Sequence, residues 1–151
     1  MKYFGILFLF LSTYAYADSP VFENYKVPVY EGKQAKLILN GKTKLYKTSF
    51  RALQGEDVNF AWHYVVNFIG CGAGCALGIG LNVKTGSTLF LPFGSTSGCE
   101  LKDEYVDQDY EYQAESRLII STGLHDGENQ CSVKYFIENE GKFSLLIKEY
   151  L

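Results

Sequence analysis

Residues 60–69 (FAWHYVVNFI), Gly70-Cys71-Gly72-Ala73-Gly74-Cys75 and residues 76–83 (ALGIGLNV) together decide the fold. The flanking runs are apolar, rich in aromatic and branched residues, and lack helical periodicity. They read as two strands joined by a tight turn. Gly70, Gly72 and Gly74 permit the backbone bend that a small Cys71–Cys75 ring requires. Gly78 and Gly80 alternate along the second run. One face there has no side chains, and an aromatic ring or a neighbouring backbone is expected close to it.

The same pattern extends outward. Lys84-Thr85-Gly86 turns the chain into a third strand, residues 87–93 (STLFLPF), with Pro92 near its end. Residues 94–98 (GSTSG) read as a loop, residues 116–122 (SRLIIST) as a fourth strong strand, and residues 123–131 as a loop built on Asp126-Gly127. Residues 132–138 and 142–149 pair across Asn139-Glu140-Gly141. Upstream, residues 34–39 and 42–48 flank Asn40-Gly41, a hairpin signal. Residues 49–54 are the one good helix candidate, capped by Thr48 or Ser49 and ended by Gly55. The chain therefore predicts one all-β domain, mainly antiparallel, with about seven or eight strands and one short helix. A disulfide-stabilised sandwich, barrel or twisted sheet satisfies this reading.

Residues 1–17 (MKYFGILFLFLSTYAYA) read as an export signal: Lys2, an apolar run from Phe4 to Leu11, and Ala15-Tyr16-Ala17 as the cleavage site. The run is too short to span a bilayer comfortably. Cleavage leaves residues 18–151 as a single domain without a stable membrane anchor, periplasmic or secreted. The formal net charge is −3, and loss of Lys2 makes it one unit more negative. No basic stripe is present to neutralise phosphates, so nucleic acid is not an expected partner.

All four cysteines, Cys71, Cys75, Cys99 and Cys131, fall after the signal. An even count in an oxidising compartment favours two disulfides, and the three possible pairings stay open. Cys71–Cys75 with Cys99–Cys131 is favoured; bonding both ring cysteines to the distal two is the alternative. Zinc on these cysteines with His63 and His125 is disfavoured, because the spacing matches no paired knuckle. No metal and no cofactor are expected.

Asn59-Phe60-Ala61-x-His63-Tyr64, Gly70-Cys71-Gly72-x-Gly74-Cys75, Lys84-Thr85-Gly86 and Ser116-Arg117-Leu118-Ile119-Ile120 occur in that order. In this the chain resembles a group of small exported bacterial proteins. These carry an Asn-Phe-Ala-Gly-x-Tyr segment, a Cys-Gly-x-x-Cys loop, an Asp-x-x-Thr-Gly turn and a Ser-Arg-Leu strand. The resemblance covers roughly residues 45–150. It implies export and fold, and it carries over no catalytic or binding residue. Trp62 stands where Gly is usual and Asn82 where Asp is usual, while Cys99 and Cys131 look like additions.

No catalytic signature accompanies these motifs. Cys-x-x-x-Cys is not the Cys-x-x-Cys of thioredoxin-like enzymes, and no βαβ pattern surrounds it. A structural staple is expected; a glycine-rich nest for an anion is the other reading of the loop. His63, on a strand among aromatics, is expected to be a satisfied, partly buried ring. His125 is expected to be solvated in a polar turn. Ser116 has no Gly-x-Ser-x-Gly context. Between Glu100 and Glu115 the chain carries Glu100, Asp103, Glu104, Asp107, Asp109, Glu111 and Glu115 against Lys102, with Tyr105, Tyr110 and Tyr112 interleaved. A calcium loop fails there, because Tyr112 occupies the turn-glycine position and Leu118 that of the bidentate Glu. Paired carboxylates for glycoside cleavage would need a sugar cleft.

The chain is therefore expected to be a binding or inhibitory module rather than an enzyme. The expected partner is a basic protein acting in the cell envelope, such as a lysozyme-like hydrolase or wall-degrading toxin. Asp103, Glu104, Tyr105, Asp107, Asp109, Tyr110, Glu111 and Tyr112 form the expected docking face: carboxylates steer association and tyrosines supply contact area. The alternative is a structural or small-ligand-binding envelope protein that uses the Cys71–Cys75 loop with Trp62, His63, Gly72 and Gly74.

Overall fold

The computed structural model describes residues 19–102 and 104–151; the expected export signal, residues 1–17, and Asp103 lie outside the described residues. Nine strands follow in order: β1 (Tyr64–Gly72), β2 (Cys75–Asn82), β3 (Thr88–Ser97), β4 (Cys99–Leu101), β5 (Glu104–Val106), β6 (Asp109–Tyr112), β7 (Leu118–His125), β8 (Ser132–Asn139) and β9 (Lys142–Tyr150). One helix, α1 (Lys47–Ala52), accompanies them. The expected all-β antiparallel class holds.

A seven-stranded sheet runs β1-β2-β3-β7-β8-β9, and β4–β5 form a separate hairpin. β3 meets β7 only at Thr96↔His125 and Ser97↔Leu124. β6 takes the rest of that edge of β7, pairing Asp109↔Thr122 through Tyr112↔Ile119. Gly123 sits at the crossing with φ +143°, where an added Cβ would lie 2.6 Å from the Ser97 carbonyl oxygen. The wedge of β6 and this close approach curl the sheet strongly. β1 and β9 share no ladder. Yet Phe60, just before β1, stacks on Phe143 of β9 with ring centres 6.1 Å apart. The sheet is an open barrel with a seam between its first and last strands.

β2 and β7 are largely buried on both faces, which is why their sequences read as near-continuous apolar runs rather than as alternation. Inside the curl lie Phe60, Tyr64, Val66, Leu91, Phe93, Ile119 and Phe136, with Phe68, Tyr110, Tyr112 and Phe143 packed against them. On the outer face of β1–β3, Val65, Ile79, Leu81 and Val83 are covered by Phe50 and Leu53 of the α1 region. On the outer face of β7–β9, Leu118, Ile120 and Tyr135 are covered by Phe22 and Tyr25. Gly78 and Gly80 do make room, but for leucines rather than for an aromatic ring or backbone. A Cβ at Gly78 would lie 2.6 Å from Leu91 Cδ1, and one at Gly80 would lie 3.3 Å from Leu89 Cδ1.

Asn40-Gly41 does not form the expected hairpin. Gly41–Tyr46 is a 3-10 helix that runs into α1. Thr43 is the reason. Its buried hydroxyl accepts from Asn40 N (2.8 Å), donates to Asn40 O (2.7 Å) and meets Thr88 Oγ1 (2.9 Å), winding the chain into a cap. The helix expected at residues 49–54 is therefore present but begins earlier, at Lys47. The loop expected at residues 94–98 belongs largely to β3, and β7 extends to His125. Cysteine pairing is as favoured: Cys71–Cys75 and Cys99–Cys131 are both bonded. The second closes a separation of 32 residues, worth about 3–4 kcal/mol in loop-closure entropy.

Candidate functional site

The barrel has two different ends. At one end, β1 begins, β2 turns into β3, β7 begins and β8 turns into β9. A cleft of about 710 Å³ opens there, lined by Trp62, His63, Tyr64, Asn82, Lys84, Arg117 and Glu138 among others. At the other end lie the Cys71–Cys75 turn, the end of β3 and the β7–β8 connection.

Strand parity explains the open end. Ile119 pairs with Phe136 inside the barrel. Two residues further along each strand, on the same face, come Arg117 and Glu138. Glu138 N donates to Arg117 O at 2.9 Å, so the ladder carries on to this pair. The interior thus passes from an apolar layer to a polar layer as it reaches the mouth.

Glu138 is 1% exposed. Its Oε1 accepts from Gly141 N at 2.6 Å and from the Tyr64 hydroxyl at 3.4 Å. Its Oε2 is buried with no partner among the described residues, as are Arg117 Nε and His63 Nδ1. Burial pushes the Glu138 carboxyl above its ordinary range, against the pull of the Gly141 amide, Tyr64 and Arg117. Burial, with Glu138 beside it, also raises the Tyr64 phenol to about 12. Burial lowers His63 to about 4, and Lys84 adds to this, so its ring is neutral at pH 7. A buried polar atom without a partner costs roughly 1–3 kcal/mol. Three of the five such atoms among the described residues belong to side chains lining this cleft, which makes it the candidate site.

The rim is built on strained backbone. Ala61 (φ +44°) and Trp62 (φ +63°) both lie in the left-handed region. They are held there by Ala61 N→Ser116 O (3.1 Å), Trp62 N→Ala114 O (2.7 Å) and Tyr30 N→Trp62 O (2.7 Å). The Trp62 ring packs against His63 with centres 4.2 Å apart. Lys84 Nζ lies over the Trp62 ring, 4.1 Å from its centre. Lys84 is presented by an Asx turn, in which Asn82 Oδ1 accepts from Lys84 N (3.0 Å) and Thr85 N (3.2 Å). Asn82 makes this turn with its neutral amide oxygen. Three stretches that are separate in sequence, 59–64, 82–86 and 116–118, thus meet at the mouth.

The closed end carries a second polar group. His125, expected to be solvated, is 1% exposed. The two-residue parity of β7 puts it on the inner face with Ile119 and Ser121, where its Nε2 meets Ser121 Oγ at 2.9 Å and its Nδ1 meets Ser132 Oγ at 3.2 Å. Ser132 donates to Glu128 Oε2 at 3.3 Å. With that proton spent, Ser132 Oγ accepts Nδ1–H, and Nε2 accepts the Ser121 hydroxyl proton. Glu128 binds Lys134 Nζ at 2.6 Å and Lys148 Nζ at 3.0 Å. Partial burial raises its carboxyl, but the two lysines together hold it down at about 2. Burial lowers His125 to about 4, aided by Lys134. Ser121 is 0% exposed, so this Ser–His–Ser–Glu chain offers no nucleophile to a substrate. It is a polar plug.

The two sets of residues predicted from sequence are placed differently. Trp62 and His63 line the mouth. Gly72, the last residue of β1, and Gly74, in the turn after it, are exposed, roughly 25 Å away at strand rise, so the expected site around the cysteine loop divides in two. Of the docking face, Glu104, Asp107, Asp109 and Glu111 are exposed, with Glu100 and Glu115. Tyr105 is 59% exposed. Tyr110 and Tyr112 turn inward, the former stacked on Phe68 with ring centres 3.7 Å apart. They fill the core because β6 alternates charged-out and aromatic-in. Sequence reasoning missed Arg117 and Glu138; two-residue parity from Ile119 and Phe136 was the available signal. No protein-family model, curated protein or solved structure matches this chain.

Two measurements check this description. At a left-handed position glycine is favoured, so W62G should be more stable than W62A by about 1 kcal/mol in urea unfolding followed by circular dichroism, the reverse of the usual order. The second concerns pH. His63 and His125 have folded values below their unfolded one, so the unfolded chain binds more protons between about 4 and 6.5. Stability should fall as pH drops through that window, by up to about 3 kcal/mol per ring. Glu138, raised on folding, runs the other way: its contribution is present at low pH and lost as pH rises through its folded value. H125Q should flatten the urea-midpoint profile, and E138Q should steepen it.

Proposed function

We propose that this protein is an exported ligand-binding module whose site is the open barrel mouth. The observation that carries this reading is the buried Glu138 carboxyl, half satisfied by Tyr64 and Gly141, with its other oxygen and Arg117 Nε buried in the wall of a cleft without partners among the described residues. Barrel mouths of this size are common sites for small molecules. Both disulfides suit an oxidising compartment. Among the described residues no helix is long and apolar enough to cross a membrane.

Trp62 is the sole tryptophan of the chain, so its emission reports on the mouth directly. A screen of small sugars, amino acids and organic acids should find compounds that change this emission saturably. R117A should weaken the response at least tenfold. Absence of any saturating compound would remove the reading.

A second reading retains the acidic face. Glu100, Glu104, Asp107, Asp109, Glu111 and Glu115 are all exposed beside Tyr105, an arrangement able to steer a basic envelope hydrolase or toxin onto this side. Capture of such an enzyme should be strong at low salt. It should be lost when Asp103, Glu104, Asp107 and Asp109 are changed to the amides; equal capture by both proteins would exclude the face.

A further inference from the structure

We infer that the ligand of the mouth is an acidic sugar, a pyranose ring bearing a carboxylate. This inference rests on the mouth being a ligand site.

The first argument is the pair of unmet groups. Arg117 and Glu138 adjoin on neighbouring strands with side chains on one face. Arg117 Nε–H needs an acceptor, and Glu138 Oε2 accepts a proton when ionised or donates one when neutral. An ammonium would satisfy Glu138 but be repelled by Arg117 and Lys84. A carboxylate placed there would satisfy Arg117 and be repelled by an ionised Glu138. A hydroxyl accepts from Arg117 and donates to Glu138 at once. Neutral alcohol groups are therefore the chemistry that fits the inner layer.

The second argument is the rim. Lys84 Nζ covers the Trp62 ring at 4.1 Å and is otherwise exposed. No carboxylate oxygen lies within salt-bridge distance of it among the described residues, where the ion pairs involve Lys26, His125, Lys134 and Lys148. An indole face is a stacking surface for the C–H face of a sugar ring. A ring seated there displaces the ammonium, which is then free to pair with an anionic group on the ligand. Ring face, hydroxyl groups and a carboxylate together describe a sugar acid. Asn82, Thr85, Ser87 and Asn139 on the lining supply further neutral donors and acceptors.

The inference is tested by titrating the folded protein with sodium glucuronate, its methyl glycoside, glucose, benzoate and alanine. Binding is followed by Trp62 emission and, independently, by saturation-transfer NMR of the probe. Glucuronate is expected to bind at least tenfold more tightly than glucose, with benzoate and alanine giving no saturable signal. K84M, at an exposed position that leaves the fold intact by circular dichroism, should bring glucuronate down to the glucose level. E138Q should weaken both sugars together. Equal binding of the methyl glycoside would mark the end of a glycan as an acceptable source, and its exclusion would restrict the site to the free acid; either result supports the sugar-acid class. Glucose binding as tightly as glucuronate, or benzoate or alanine binding more tightly than either, overturns the inference while leaving the mouth a ligand site. Failure of every probe also overturns it, and the broader reading then falls only if the wider emission screen is silent as well.

Discussion

A sheet that curls without closing governs this molecule. The interior of the curl is filled by aromatic rings from five of the seven strands of the sheet, with Tyr110 on Phe68 as the closest stack and Phe60 on Phe143 reaching across the seam. These contacts hold β1 near β9 although no ladder joins them. The curvature arises where β6 displaces β3 from most of β7, and where Gly123 lets the two remaining strands cross closely. An incomplete barrel with a packed middle has two ends to finish, and this chain finishes them by opposite means.

One end is sealed. His125 is pinned by two serines, Glu128 by two lysines, and both disulfides lie on that side. Each side chain of the Ser121–His125–Ser132–Glu128 chain finds a partner, which lowers the cost of its burial, although Thr96 Oγ1 and Tyr110 Oη nearby are buried with none among the described residues. The other end is left unfinished. Its inward positions pass from Ile119 and Phe136 to Arg117 and Glu138. Three buried atoms there lack partners among the described residues, and two residues of its rim sit in left-handed backbone. Apolar residues at positions 117 and 138 would stabilise the fold more simply. Retaining polar groups and strain at one end of a well-packed domain is a pattern associated with function.

The acidic segment shows how one strand serves two purposes. In β6 the period of two sends Asp109 and Glu111 to solvent and Tyr110 and Tyr112 into the core. Composition alone treats these residues as one patch. Pairing to β7 separates them into an exposed charged row and a buried aromatic row. The charged row also guards an edge against unwanted strand pairing.

Local chemistry made much of the fold legible. Turn glycines, short apolar runs and paired cysteines fix strands, hairpins and a covalent staple through interactions within a few residues of one another. The all-β class, the central hairpin, the last hairpin and the favoured cysteine pairing follow from these. What the chain does at long range was not legible in the same way. Asn40-Gly41 carries a hairpin signal, but Thr43, anchored on Thr88 far along the chain, winds it into a helix. His125 stands in a polar stretch, but β7 runs on to it and places it on the inward face. Arg117 and Glu138 look like ordinary strand-end charges until the register of β7 against β8 places them opposite each other at the mouth. Sequence determined which segments extend and where they turn, because those choices are local. Tertiary structure alone decided which faces are buried and which charges share a cleft, because burial depends on partners that are distant along the chain.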